Sequence, residues 1–150
     1  HRVEMASQLI DARFPDYRGI IPKNFTTRTV VDTASLLKAV RVAFLFARDN
    51  ANIIKVAIAP SNGTHGGQIK LTATSNEMGD NVSEIDAMVE GQELEIAFNA
   101  KFLVEMLGAL ETDEVKVELS TSTKAGLLKP SEQNEGEDVL MLVMPLMLNQ

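Results

Sequence analysis

Two stretches of similar pattern decide the fold: residues 30–43 read VVDTASLLKAVRVA, and residues 97–110 read AFNAKFLVEMLGAL. Each begins with the apolar end of a strand and continues into a small polar residue, Asp32 or Asn99, whose side chain can accept hydrogen bonds from the first free amides of a helix. Apolar residues then recur at helical spacing. A shift of 67 positions superimposes the two stretches and pairs Asp32 with Asn99, Leu36 with Leu103, Val40 with Leu107 and Ala43 with Leu110.

The segments around these stretches predict strands. Alternating or β-branched runs cover residues 26–31, 53–59, 68–74, 83–89, 93–98, 115–120, 125–128 and 139–144. With helices predicted over 33–48 and 100–110, the order is β-α-β-β-β, repeated once. The sequence therefore predicts an α+β fold with an internal duplication, in which two helices pack on one face of a mostly antiparallel sheet. Chance similarity between two capped amphipathic helices is the alternative.

Composition excludes several kinds of site. The 150 residues include 14 Lys+Arg and 21 Asp+Glu, for a net charge of −7, with no Cys and 2 His. We therefore expect no disulfide, no metal site and no cofactor. The longest apolar runs fall far short of the ~20 residues that span a bilayer, so we expect no membrane partner.

Charge is distributed unevenly along the chain. Residues 1–75 carry 10 basic and 5 acidic side chains, whereas residues 76–150 carry 4 basic and 16 acidic ones. On the first helix, Lys38, Arg41 and Arg48 fall within an arc of about 80°. Such an acidic chain would not hold DNA tightly through phosphate contacts alone, so any action on DNA must depend on another means of retention.

No catalytic constellation is recognisable. Residues 35–38 read SLLK and match the S-x-x-K pattern, but the motifs that accompany it in penicillin-binding enzymes are missing. His65 lies in a Gly-rich turn that lacks the Lys-Ser/Thr ending of a phosphate loop. We therefore expect a protein that is not an enzyme. Because the chain begins with His1 and residues 2–10 are predicted as a strand, we interpret it as a piece of a longer protein.

Three motifs together resemble one family. Residues 13–18 read RFPDYR and are followed by IPK at 21–23, residues 95–99 read EIAFN before a helix, and residues 143–148 read VMPLML. This combination is similar to the bacterial DNA polymerase III beta subunits, the sliding clamps. The resemblance implies that residues 1–12 are the last strand of a preceding clamp domain, 13–24 an interdomain connector, and 25–150 the third clamp domain.

The resemblance also implies a role in replication. Members of the family are head-to-tail homodimer rings that encircle duplex DNA without sequence preference, slide along it and act as processivity factors in the cytoplasm. It implies that Lys38, Arg41, Arg48 and Lys101 face the DNA, and that Phe44 and Leu45 lie at the subunit interface. Topological enclosure would allow the contacts with DNA to stay weak and mobile.

The family binds partner proteins through a hydrophobic pocket. The partners are the DNA polymerase III alpha subunit, the clamp loader and other proteins that carry peptides of the Gln-Leu-x-Leu-Phe kind. Carried over by motif, the pocket residues are Pro15, Ile20, Leu142, Met144, Pro145 and Leu146, with Arg13, Arg18 and Asn99 at the rim. The family commonly has Arg at the position of Met147, and this difference affects the rim.

Two other functions remain as alternatives. The chain could be a non-catalytic, β-rich interaction domain of an envelope or extracellular protein, which glycans at Asn24, Asn62 or Asn81 would support. It could also be a hydrolase built around Ser35 and Lys38, which covalent labelling of Ser35 by a serine-directed probe would support.

Overall fold

The computed structural model describes residues 2–14, 16–63, 66–133, 136 and 138–147. Two α-helices and nine strands form within these residues. In chain order they are β1 Thr27–Asp32, α1 Thr33–Ala47, β2 Ile53–Ala59, β3 Gln68–Ser75, β4 Gly79–Asp86, β5 Met88–Gly91, β6 Leu94–Asn99, α2 Ala100–Ala109, β7 Glu114–Leu119, β8 Gly126–Pro130 and β9 Met141–Val143. Neither helix of this described part is long and apolar enough to cross a membrane.

The strands of the described residues form two antiparallel sheets instead of one. Sheet A has the order β5-β1-β7-β8-β9, and sheet B has the order β4-β3-β2-β6. The two repeats exchange their first strands between the sheets. Sheet A contains β7, β8 and β9 of the second repeat together with β1 of the first, and sheet B contains β2, β3 and β4 of the first repeat together with β6 of the second. The predicted α+β class and the duplicated order are confirmed, and the exchange of first strands links the two repeats.

The helices lie side by side over the inner faces of both sheets. Helix α1 packs on β3 and β4, and α2 contacts α1, β6 and β9. Alternation along the strands points every second side chain into the core, as in the pattern of β2 and β3. On α1, the residues whose helical spacing places them on one face, Leu36, Val40, Ala43 and Ala47, are buried. On α2, Leu103 and Leu107 are buried in the same core.

Both predicted helix caps are confirmed. The Asp32 carboxylate accepts a hydrogen bond from the Ser35 amide at 2.7 Å, and the Asn99 side chain accepts one from the Lys101 amide at 3.0 Å. Hydrogen bonds from the Ser35 hydroxyl and amide hold the pKa of Asp32 below its usual range. Each cap satisfies an amide that has no partner within its helix.

The prediction of one strand over 83–89 is wrong. The chain leaves β4 after Asp86, crosses between the sheets and pairs with β1 as β5. The Ala87 amide donates to the Gly67 carbonyl at 2.9 Å. A Cβ at Gly67 would lie 2.7 Å from the Ala87 carbonyl oxygen, so this close approach requires glycine. Sequence alternation cannot show such a transfer, because it continues across it.

The predicted strand at the start of the chain does not form within the described residues. Residues 2–14 belong to no sheet, and Val3, Met5, Leu9 and Ile10 are each about nine-tenths exposed. A strand needs a neighbour to receive its backbone hydrogen bonds, and no described strand lies beside this segment. The predicted connector contains a short 3-10 turn, Tyr17–Gly19, whose Arg18 amide donates to the Asp16 carboxylate at 3.2 Å. The predicted domain boundaries stay a prediction.

Candidate functional site

The candidate site lies where the chain leaves β9. We call residues 144–147 the tail. The tail departs from sheet A and reaches the free edge of sheet B, where the Leu146 amide donates to the Ala97 carbonyl of β6 at 2.8 Å. It is the counterpart of β5, which leaves β4 and pairs with β1 in the first repeat. The crossing leaves an open space between the tail and α2, which we call the tail cleft.

The tail cleft has a volume of about 390 Å³ and a mostly apolar lining. It is lined by Asn99, Phe102, Glu105, Met106, Leu142, Val143, Met144, Pro145 and Leu146. Phe102 is 53% exposed and Met144 is 61% exposed. Large apolar side chains left open in a concave surface are typical of a site that receives apolar groups from a partner.

The structure brings together five of the residues predicted for the pocket and its rim. Leu142, Met144, Pro145 and Leu146 line the tail cleft together with Asn99. The sequence prediction missed Phe102, Glu105 and Met106, the wall that α2 contributes. Helical spacing could have indicated Phe102 and Met106, because they lie three and seven positions after Asn99 and therefore on the same face of α2.

The connector residues are not brought to this cleft. Ile20 is 51% exposed, and neither it nor Arg13 or Arg18 is among the lining residues of the tail cleft. Pro15 lies outside the described residues. The described wall of the cleft therefore consists of the end of β6, α2, β9 and the tail.

The duplication provides a second groove at the counterpart place. It has a volume of about 460 Å³, and its lining includes Asp32, Ser35, Lys38 and Ala39, which correspond by the shift of 67 positions to Asn99, Phe102, Glu105 and Met106. Its β4 wall contributes Glu84 and Asp86. Ser35 and Ala39 thus replace Phe102 and Met106, and although Val42 and Ile85 also line this groove, it is more polar than the tail cleft.

The outward face of α1 is basic. Lys38, Arg41 and Arg48 line one shallow groove together with Phe44 and Leu45. The Arg48 guanidinium lies 5.5 Å from the centre of the Phe44 ring, within the range of a cation–π contact. Within the described part of the chain, none of these three cations, nor the exposed Lys101 of α2, is in an ion pair. This face therefore presents positive charge to solvent.

A buried carboxylate lies on the opposite side of the molecule, on the outer face of sheet A. Glu118 of β7 is 1% exposed, and its oxygens lie 2.8 Å from Arg28 Nε and 2.8 Å from Lys129 Nζ. Burial raises the pKa of Glu118, but hydrogen bonds and charge from Lys129 and Arg28 outweigh it, so the pKa lies below its usual range. The cluster joins β1, β7 and β8 and takes no part in the tail cleft.

The described fold, two helices beneath two antiparallel sheets with exchanged first strands, is that of a DNA-clamp domain. Solved sliding clamps align with it: the one from Bacillus subtilis has a TM-score of 0.84 with 29% identity, and the beta subunit from Thermotoga maritima has a TM-score of 0.82 with 30% identity. The chain belongs to the DNA polymerase III beta subunit family, because residues 18–146 match the model of that family's C-terminal domain.

The curated relatives are named beta sliding clamps. The protein of Staphylococcus aureus is 33% identical over 147 residues, and that of Synechococcus elongatus is 29% identical over 144 residues. Each alignment covers 96% of this chain and 36% of the relative. Likewise, 95% of the chain aligns with 36% of the Bacillus subtilis structure, and 93% with 35% of the Thermotoga maritima structure. The chain therefore spans about a third of the proteins that it matches.

Proposed function

We propose that this chain is the C-terminal part of a processivity factor for bacterial DNA replication. It contributes to a homodimeric ring that encircles duplex DNA, slides along it in the cytoplasm and tethers the replicative polymerase, without catalytic activity of its own. The observation that carries the proposal is the apolar tail cleft, to which two of the three motifs that first suggested the family, EIAFN and VMPLML, contribute residues. In this proposal residues 1–12 complete the preceding domain, 13–24 connect the domains, and 25–150 form the third one.

The basic face of α1 supports a role beside DNA. Lys38, Arg41 and Arg48 are exposed and without acidic partners among the described residues, as contacts with phosphates require. The chain nevertheless has a net charge of −7, which keeps these contacts weak. A ring retains DNA by enclosing it, so weak contacts are an advantage for sliding. Phe44 and Leu45 supply the apolar part of this face and are proposed to contact the neighbouring subunit.

The tail cleft is proposed as the receptor for short peptides of the Gln-Leu-x-Leu-Phe kind. Its apolar lining suits the Leu and Phe side chains of such a peptide, which would act as buried anchors in a groove. Through this cleft the DNA polymerase III alpha subunit, the clamp loader and other proteins would compete for one site.

A peptide titration tests the proposal. Isothermal calorimetry with a Gln-Leu-Ser-Leu-Phe peptide is expected to give saturable binding to this chain. The double variant Met144→Ala, Pro145→Ala is expected to abolish it, because both side chains form the cleft wall. Met88→Ala is a matched control, since Met88 is a similarly exposed methionine, at 63%, in the counterpart of the tail. Binding that survives the double variant, or no binding to the unaltered chain, would contradict the proposal.

A further inference from the structure

The tail cleft contains one charged side chain among its described lining residues, Glu105 of α2. Glu105 lies one turn after Phe102 and next to Met106, so its carboxylate stands beside the apolar surface that a ligand would cover. A ligand docked on Phe102 would displace water from that neighbourhood. The carboxylate would then lose part of its hydration unless the ligand supplied a compensating group.

No positive charge of the cleft compensates Glu105. Among the described residues Glu105 is in no ion pair, although Lys101 lies one turn earlier on the same face of α2. The tail contributes only uncharged side chains, Met144, Pro145, Leu146 and Met147. A cation would therefore have to come from the ligand.

The first repeat shows that this charge is not imposed by the fold. The counterpart of Glu105 is Lys38, and the counterpart of Phe102 is Ser35. The same backbone position thus accepts either sign of charge. Glu105 can be exchanged without disturbing the core, because its side chain is exposed.

We propose that Glu105 selects among peptide ligands and favours those with a Lys or Arg directly beside their apolar anchors. This inference rests on the proposed function of the tail cleft and adds the charge of its preferred partners. The apolar anchors supply most of the affinity, and Glu105 ranks partners that share the same anchors. Charges at the rim of an interface act mainly in this way.

The test uses four peptides with one Gln-Leu-Ser-Leu-Phe core, which carry Lys or Glu immediately before or after it. We expect at least one Lys-flanked peptide to bind about three- to tenfold more tightly than its Glu-flanked partner in 50 mM salt. This range is typical of exposed ion pairs, because the comparison sets the attraction of Lys to Glu105 against the repulsion of Glu from it. The preference should shrink in 500 mM salt, where screening is stronger.

Variants assign the preference to Glu105. Glu105→Gln should remove it, and Glu105→Lys should reverse it. Glu93→Gln, which removes the same charge from an exposed position outside the cleft, should leave it unchanged. Equal binding of all four peptides, or a Lys preference that persists in Glu105→Gln, would overturn this inference while leaving the proposed function intact. If no peptide bound at all, the proposed function itself would fail.

Discussion

Replacing Phe102 with Ser tests whether α2 supplies a wall of the peptide site. Ser is the residue at the counterpart position of the first repeat, Ser35, so the change makes the tail cleft more like the polar groove of that repeat. Phe102 is 53% exposed. A Phe side chain presents roughly 200 Å² in total, which leaves roughly 100 Å² of it open to a ligand. A peptide that covers half of this area removes roughly 50 Å² from water.

That area converts to a measurable loss of affinity. At about 25 cal/mol per Å², the lost burial costs about 1.3 kcal/mol, which is about a tenfold weaker Kd. Fluorescence anisotropy with a labelled Gln-Leu-Ser-Leu-Phe peptide measures this loss directly. Because about half of the Phe102 side chain is packed on the domain, the variant should also lose about 2 kcal/mol of stability, or roughly 4–8 °C in melting temperature, so binding is measured at a temperature where the variant is folded.

Leu45→Ser is the matched control for this experiment. Leu45 is 48% exposed on α1 and does not line the tail cleft, so its loss should leave peptide binding unchanged. Equal affinities for Phe102→Ser and Leu45→Ser, with both variants folded, would refute the assignment of α2 to the binding wall. The bound peptide would then have to lie elsewhere on the domain.

Four further predictions follow from the packing and the extent of the chain. Glu118→Gln should lower the stability at pH 7 by about 1–3 kcal/mol, because it leaves Arg28 and Lys129 without their carboxylate. Folding lowers the pKa of Glu118, so the difference in stability between the two proteins should be full above about pH 4.3 and should vanish as the pH falls through the folded pKa. Thermal melts of both proteins between pH 2 and pH 7 would test this. Asn99→Ala removes the cap of α2 and should cost about 1 kcal/mol, or roughly 2–4 °C in melting temperature; an unchanged melt would show that the cap contributes nothing. This chain spans 36% of its relatives, so in sedimentation it should not form a stable ring-sized dimer, and a ring-sized species would contradict that expectation. In calorimetry it should bind the peptide more weakly than the whole subunit does, and equal affinity would contradict this second expectation.

The local parts of the fold could be predicted from the sequence. The bounds of β2 and the starts of both helices follow from alternation, capping residues and helical spacing, which depend on neighbours a few positions apart. The division into two sheets could not be predicted in this way. β1 pairs with β7, and β6 pairs with β2, each across to the opposite repeat, and no local pattern records which distant strand receives a backbone hydrogen bond.

Only part of the candidate site could be predicted from the sequence. Family resemblance at the C-terminal end pointed to Leu142 and, within the VMPLML motif, to Met144, Pro145 and Leu146, and the structure brings all four into one cleft. Phe102 and Met106 carried no motif of their own and became visible only when α2 was packed beside the tail. Glu118 illustrates the reverse case, because by alternation it resembles an ordinary solvent-facing charge on a strand. Only the approach of Arg28 and Lys129 from neighbouring strands buries it.

The swapped strands β1 and β6 have a consequence for how this domain can be divided. A cut near Gln92 would separate the repeats. The first fragment would then lack β6, which completes the sheet of β2, β3 and β4, and the second would lack β1, which pairs with β7. Neither half is therefore an autonomous folding unit, and the two fragments should regain structure only when mixed. The arrangement has the form of a domain-swapped dimer whose two copies have been fused into a single polypeptide.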